Sequence, residues 1–118
     1  MATVVQVLVT ECATGRPIAL MSEVDAAARA AVFKALGDPV RLRLLHYIAA
    51  APGGTACACS LPDALGIAQP TMSHHLTKLV DAGLLHRERR GRWAHYSVVE
   101  DALRAGVAEL GELIATQG

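Results

Sequence analysis

The chain predicts a mainly helical α+β domain carrying one β-hairpin near its C-terminal end, and three observations predict it. Apolar residues make up 53% of the chain but aromatics only 3%, a balance dominated by Ala, Leu and Val that suits closely packed helices. Apolar residues recur at helical spacing in several segments, each bounded by a capping residue, a proline or a glycine. Between Leu84 and Val98 the period changes, and two strand-like runs flank Arg90-Gly91-Arg92.

Taken in order, residues 1–10 are rich in β-branched side chains and read as an extended arm or edge strand. Residues 11–21 contain Gly15 and Pro17 and read as a linker. Ser22 followed by Glu23 and Asp25 marks a helix start, with a capping hydroxyl and acids where the helix dipole favours them. That helix is expected to run to Leu36 and stop at Gly37. Asp38-Pro39 opens the next, with Asp as cap and Pro at the first helical position; Val40, Leu44, Leu45 and Ile48 form its apolar set, and Ala-Pro-Gly-Gly at 51–54 ends it. A short helix is expected from near Cys59 to Leu65, closed by Gly66. Pro70 then starts a longer one through Asp81, closed by Gly83. Met72, Leu76, Leu79 and Val80 face inward on it, Thr71, His74 and Lys78 face outward, and Ser73 and His75 flank that outer face. After the hairpin, Glu100 to Ala115 forms a last helix with Leu103, Val107, Leu110 and Ile114 on one side. The order helix, helix, helix-turn-helix, hairpin, helix is that of a winged helix-turn-helix.

At 118 residues the chain is of single-domain size, divided into an arm (1–21) and a folded domain (22–118). Thin, Ala-rich helices bury little apolar surface alone, so a homodimer is expected. Eleven basic residues balance eleven acidic ones, so net charge is uninformative, but Arg87, Arg89, Arg90 and Arg92 cluster on the hairpin with only Glu88 among them. Such a strip can neutralise phosphates. The N-terminus lacks a signal-peptide pattern and no apolar run spans a bilayer, so no membrane role and a cytoplasmic location are expected. Three cysteines, Cys12, Cys57 and Cys59, favour free thiols or metal ligation over a structural disulfide in that compartment.

A short helix, a tight turn and a second helix with a polar outer face suit the major groove of double-stranded DNA. Gln69, Thr71, Ser73, His74 and His75 can donate or accept hydrogen bonds at base edges, and Gln can pair bidentately with adenine. Lys78 is placed for phosphate, as are Arg90 and Arg92 of the hairpin, the wing of this architecture. Three segments carry a family resemblance. Phe33-Lys34-Ala35-Leu36-Gly37-Asp38-Pro39-Val40-Arg41-Leu42-Arg43-Leu44-Leu45 resembles the opening signature of the ArsR/SmtB family of metal-responsive repressors. Gln69-Pro70-Thr71-Met72-Ser73-His74-His75-Leu76 resembles its recognition helix, and Gly91-Arg92-Trp93-Ala94-His95-Tyr96 its wing. The resemblance covers roughly residues 30–115. It implies a homodimer held by the first and last helices, bound to a palindromic operator and released by an inducer. Ala68 departs from the pattern: relatives often carry a hydroxyl there, so a side-chain cap is missing from the recognition helix.

Cys57-Ala58-Cys59-Ser60-Leu61 is similar to the Cys-x-Cys-x-Leu pattern of arsenite-responsive members. Trivalent arsenic is thiophilic and takes three sulfurs, by the same softness rule that governs thiolate sites for metals. Residues two apart on a regular helix point about 200° apart, so the pair must sit in extended or frayed backbone, or the helix must distort on binding. Pro62 stands where some relatives have a third cysteine. Thr10-Glu11-Cys12 resembles the cysteine-bearing arm of another arsenite-sensing branch, with Ala13 in place of its second cysteine. The implied site is Cys12 of one subunit with Cys57 and Cys59 of the other, taking As(III) or Sb(III) as inducer, with no organic cofactor. A redox or persulfide switch on the same thiols, or response to cadmium, lead or zinc, is the alternative; the last needs a further ligand, for which only Glu11 stands near in sequence. His46 is assigned to helix packing, and His86 and His95 to a pair across the wing. The last helix holds Glu100, Asp101, Glu109 and Glu112 but no histidine, which argues against a zinc or nickel site there. No phosphate-cradling loop, Cys-x5-Arg run or Ser/His/Asp constellation is present, so no enzymatic activity is expected.

Overall fold

A computed structural model describes residues 6–115 of the chain. They fall into two units, one ending at Ala31 and the other starting at Val32.

In the first unit, β1 (Gln6–Thr10) pairs antiparallel with β2 (Pro17–Met21) from Gln6 opposite Met21 to Thr10 opposite Pro17. The expected linker at 11–21 is therefore corrected: its second half is a strand. Gly15 and Pro17 do punctuate the chain, but they bound a hairpin loop, and Pro17 occupies the first residue of its strand, where a missing N–H is tolerated. The part of the expected arm at 1–5 lies outside the described residues. Helix α1 (Glu23–Leu36) then begins as expected, with the Asp25 amide donating to Ser22 Oγ at 3.2 Å. It is one continuous helix across the boundary between the units.

Helix α2 (Pro39–Ala50) starts at Asp38, whose Oδ1 accepts from the amides of Val40 at 2.8 Å and Arg41 at 3.2 Å. A single 3-10 turn at Pro52–Gly54 leads into β3 (Thr55–Cys57), a strand that the hairpin reading did not include. Helix α3 (Leu61–Leu65) is shorter than expected and begins after the cysteines. It stops at Gly66, which adopts the left-handed conformation (φ 68°, ψ 36°) and turns the chain toward α4 (Gln69–Asp81). The hairpin is β4 (Leu85–Arg90) and β5 (Trp93–Val98), joined by the two residues Gly91-Arg92, with Gly91 at φ 63° as such tight loops require. β3 pairs with the other edge of β5, so the sheet has three strands in the order β3-β5-β4. Helix α5 (Glu100–Ala115) closes the chain.

The core of the second unit is built from one side of each element. Leu44, Leu45 and Ile48 of α2 meet Leu61 and Leu65 of α3, Met72, Leu76 and Leu79 of α4, Leu84 just before the wing, and Leu85, Ala94 and Tyr96 of the wing. Six of the largest side chains, Leu44, Ile48, Leu61, Met72, Leu79 and Leu84, are fully buried. With α3 only five residues long, Leu61 and Leu65 are what hold it against the longer helices. The apolar side of α5 fares differently: Val107, Leu110 and Ile114 are 56%, 41% and 66% exposed, so most of the stripe that shapes this helix finds no cover among the described residues.

Two expectations follow for stability. Ala68 has the extended backbone of a helix N-cap (φ −62°, ψ 146°) but no side-chain bond to offer. Ala68→Ser should therefore stabilise the protein by about 1 kcal/mol, measured as a higher urea midpoint; an unchanged midpoint contradicts the cap geometry. Asp38 is held below its ordinary value of 3.8, first by the Arg41 amide and further by the Val40 amide and the charge of Arg41. A carboxyl lowered on folding contributes stability that is complete above its unfolded pKa and lost as pH falls through the folded one. Between about pH 5 and pH 2, wild-type stability should fall more steeply than that of Asp38→Ala.

Candidate DNA-reading face and thiol site

Burying Met72, Leu76 and Leu79 turns the opposite side of α4 outward. Gln69, Thr71, Ser73, His74 and Lys78 are all exposed there. They form a polar face whose N-terminal end carries groups able to bond base edges and whose later turn carries a cation. His75 does not join them. It is 8% exposed, and its Nδ1 lies 3.3 Å from a terminal nitrogen of Arg41. The expectation that His75 flanks the outer face is corrected: position 75 lies on the core side, beside Leu76, and an imidazole can be buried there because a guanidinium meets its ring nitrogen. Its ring stands edge-on to that of His74, with centroids 5.7 Å apart.

The wing projects beside this face. Arg90 is exposed and ion-paired with Glu88 at 3.3 Å, while Arg92 stands exposed in the loop at the wing's tip. Arg87 shares a sheet face with its cross-strand neighbour Tyr96 and lines a cleft of about 280 Å³ between α4 and the wing, together with Ser73, Thr77, Val80 and Asp81. Thr77 is absent from the sequence-derived candidates, and Arg87 enters them only as part of the basic strip. The signal for Thr77 was available, since it lies one helical turn beyond Ser73; Arg87 has the strand parity of Leu85, so alternation alone would turn it toward the core side rather than outward.

The thiol site is set by the same sheet. Cys57 ends β3, and Cys59 sits in the turn before α3, so neither lies on a regular helix and the two sulfurs meet. The condition that the pair occupy non-helical backbone is satisfied. The expectation of free thiols at these positions is corrected: Cys57 and Cys59 are joined as a disulfide, their Cα atoms 5.2 Å apart. The strand-to-turn reversal, marked by the Ser60 amide bonded to the Cys57 carbonyl at 3.1 Å, folds one side chain back over the other. Cys12 is a free, exposed thiol in the β1–β2 loop. That loop is organised by Glu11, whose carboxylate accepts from the amides of Ala13 (3.0 Å) and Thr14 (2.7 Å) and from the Thr14 hydroxyl (2.8 Å). These bonds, the Ala13 amide first, hold the Glu11 carboxyl below 4.5 and occupy the carboxylate adjacent in sequence to the arm thiol. Among the described residues no three His, Cys, Asp or Glu side chains are grouped to hold an ion.

The histidine assignments also change. His95 stands opposite Cys57 on one side and Glu88 on the other, and His86 opposite Ser97, so the two histidines are not direct cross-strand partners. His95 is thus the imidazole that the sheet register sets beside the thiol pair. His46 is exposed and borders a groove with Leu42, Ala49 and Leu103 rather than packing in the core. No helix among the described residues is long and apolar enough to cross a membrane.

A short helix, a glycine turn, a second helix with a polar outer face and an arginine-bearing wing define a winged helix-turn-helix DNA-binding domain. Comparison with known proteins agrees. A family model described as a helix-turn-helix domain matches residues 36–88. An uncharacterized helix-turn-helix-type transcriptional regulator of Methanocaldococcus jannaschii is 39% identical over 71% of this chain and 92% of its own length. The arsenical resistance operon repressor of Bacillus subtilis is 31% identical over 65% and 71%. Among solved structures, an ArsR-like transcriptional regulator from Rhodococcus sp. RHA1 superposes with a TM-score of 0.69 at 27% identity, over 77% of this chain and 83% of that one. The AntR antimony-specific transcriptional repressor gives 0.59 at 30% identity, over 81% and 86%. A homodimeric winged helix-turn-helix DNA-binding domain from Mycobacterium bovis gives 0.61 at 29% identity, over 85% and 92%. The chain belongs to the ArsR/SmtB family of transcriptional regulators, which are DNA-binding proteins and not enzymes.

The thiol arrangement makes a direct prediction. Without reductant, an alkylating reagent should label Cys12 alone; with reductant, all three cysteines should be labelled, as read by peptide mass spectrometry. Equal labelling of all three before reduction contradicts the Cys57–Cys59 pairing.

Proposed function

We propose that the chain is a homodimeric repressor that binds an operator through α4 and the wing and is released when trivalent arsenic or antimony binds its cysteine thiolates. The observation that carries this reading is the meeting of the Cys57 and Cys59 sulfurs immediately before α3. In the reduced protein the two thiolates form a ready chelate on the first residues of the DNA-reading unit. A small pyramidal ion held there would pull β3 and the turn before α3 into one geometry. Relatives support the metalloid class, since they include an arsenical and an antimony repressor.

Dimerisation follows from the uncovered side of α5, where Val107, Leu110 and Ile114 lie on one stripe, and from α1, as the family resemblance implies. The third sulfur is Cys12 of the second copy, offered by a structured hairpin loop rather than a loose arm. On DNA, Gln69, Thr71, Ser73 and His74 read base edges, while Lys78, Arg90 and Arg92 bind phosphates; His75, buried, is withdrawn from that set. A DNA partner of this kind supports a cytoplasmic location.

A second reading, a thiol redox switch, is favoured by the disulfide itself. An external disulfide would oxidise Cys57 and Cys59 and leave as two thiols, with the same joint reshaped by a covalent bond.

Anisotropy of a labelled duplex, selected by the wild-type protein from a random pool, tests the main reading. The reduced protein should bind it and release it on adding arsenite. Release needs a differential affinity of a few kcal/mol, at about 1.4 kcal/mol per tenfold. Binding indifferent to arsenite but abolished by oxidation selects the redox reading. Arsenic X-ray absorption should count three sulfurs in the wild type and two in Cys12→Ser; three in that variant contradicts the cross-subunit ligand. Arg92→Ala should lower the salt slope of DNA binding by about 0.9. Arg90→Ala, whose guanidinium is shared with Glu88, should lower it less. Equal slopes for wild type and Arg92→Ala would remove Arg92 from the interface.

A further inference from the structure

Arg41 ties together three helices of the second unit. Its Nε donates to the Ala35 carbonyl at 2.6 Å and one terminal nitrogen to the Lys34 carbonyl at 3.2 Å, both at the C-terminal end of α1. The other terminal nitrogen lies 3.3 Å from His75 Nδ1 on α4. Its own amide bonds to Asp38, the cap of α2. A guanidinium has donors only, so in a hydrogen bond between the two Nδ1 is the acceptor. The planar fork suits such a junction: carbonyls at a helix C-terminus attract a cation, and the remaining donor is held in a fixed direction toward the recognition helix.

We propose that Arg41 is a positioning residue for DNA reading: it ties the end of α1 to His75, and through the helix of His75 it sets the placement at which α4 presents Ser73 and His74. The neighbouring ring of His74, edge-on to His75, is the point where this tie reaches the exposed face. The tie also gives α1 a lever on α4, because a shift of the last turn of α1 moves both carbonyls that orient the guanidinium. The proposal rests on the reading that α4 contacts base edges.

The test measures the ratio of affinities for the selected duplex and for a random duplex of equal length, in Arg41→Lys, His75→Leu, His75→Asn and the double variant Arg41→Lys/His75→Leu. Arg41→Lys keeps the charge but loses the fork. Asn at position 75 restores an acceptor near the site of Nδ1, and Leu does not. Arg41→Lys and His75→Leu should each lower the ratio about tenfold, the double variant should lose no more than either single, and His75→Asn should stay within about threefold of wild type. Affinity for the random duplex and its salt slope should not change, because the phosphate contacts are intact. A merely structural role would lower both affinities together and leave the ratio as it was, and that result overturns the proposal. So does a double variant whose loss is the product of the singles. Should Arg41→Lys fail to fold, the contrast between His75→Asn and His75→Leu decides alone: equal ratios overturn it. If the wild type itself selects no preferred duplex, the base-reading function fails and the proposal with it; if it does select one and only the Arg41 and His75 variants read as wild type, the base-reading function stands and the proposal alone falls.

Discussion

The recognition helix depends on its surroundings more than on itself. It starts at Ala68 with no side-chain cap, and only one side of it is buried, so its own sequence does not settle where it points. Apolar packing of Met72, Leu76 and Leu79 fixes its depth against α2 and the wing. Such contacts are non-directional and tolerate small rotations. The bond between Arg41 and His75 is directional, and it joins the end of α1 and the capped start of α2 to α4. Asp38 and Arg41 therefore form one device. The carboxylate begins α2 and places Arg41 on its first turn, and Arg41 in turn secures α1 and α4.

Cys57 and Cys59 lie just before α3, at the start of the DNA-reading unit in the chain. β3 is three residues long and α3 five, so the segment bearing Cys57 and Cys59 is held by a few groups: Ala56, Leu61 and Leu65 in the core with Ala58 packed against it, the pairing with β5, and the bonds of Ala58 to Ala94 and of Ser60 to Cys57. A small element with few buried groups opens at low cost. That is what a sensor joint needs: the energy of two or three sulfur bonds can reshape it without competing against a large core. On the proposed reading, the short α3 would pass the change to α4 through Gly66, and the pairing of β3 with β5 would pass it to the wing.

Much of this was legible in the sequence. The helices α1, α2, α4 and α5 were marked by caps, by glycine stops and by apolar spacing, and Ser22, Asp38 and Ala68 behave at their caps as their side chains dictate. The wing was readable from its change of period. What escaped was set by tertiary pairing. β2 looked like linker because Gly15 and Pro17 mark both loops and hairpin turns, and only the partner strand distinguishes them. β3 is too short to show a period, and it exists because β5 has a free edge to pair. Helical angle sets His75 near the boundary of the outer face, so local spacing does not decide its side. Its burial depends on Arg41, 34 positions away, which no local pattern reports. The disulfide at Cys57 and Cys59 has the same origin: the backbone reversal that joins them is a property of the β3 to α3 turn, not of the spacing. The residues proposed to touch DNA, and the membership of Cys12 in the inducer site, rest on exposure and residue chemistry.

The central claim is that an inducer acts on the DNA-reading unit by reshaping the joint that carries Cys57 and Cys59. Hydrogen exchange of the reduced, DNA-free protein with and without arsenite addresses it most directly, resolved by peptide along the chain. The account predicts altered protection across residues 55–68 and along α4, with the change at α4 lost in Cys57→Ser. Release of DNA by arsenite with unchanged exchange in both segments would contradict it.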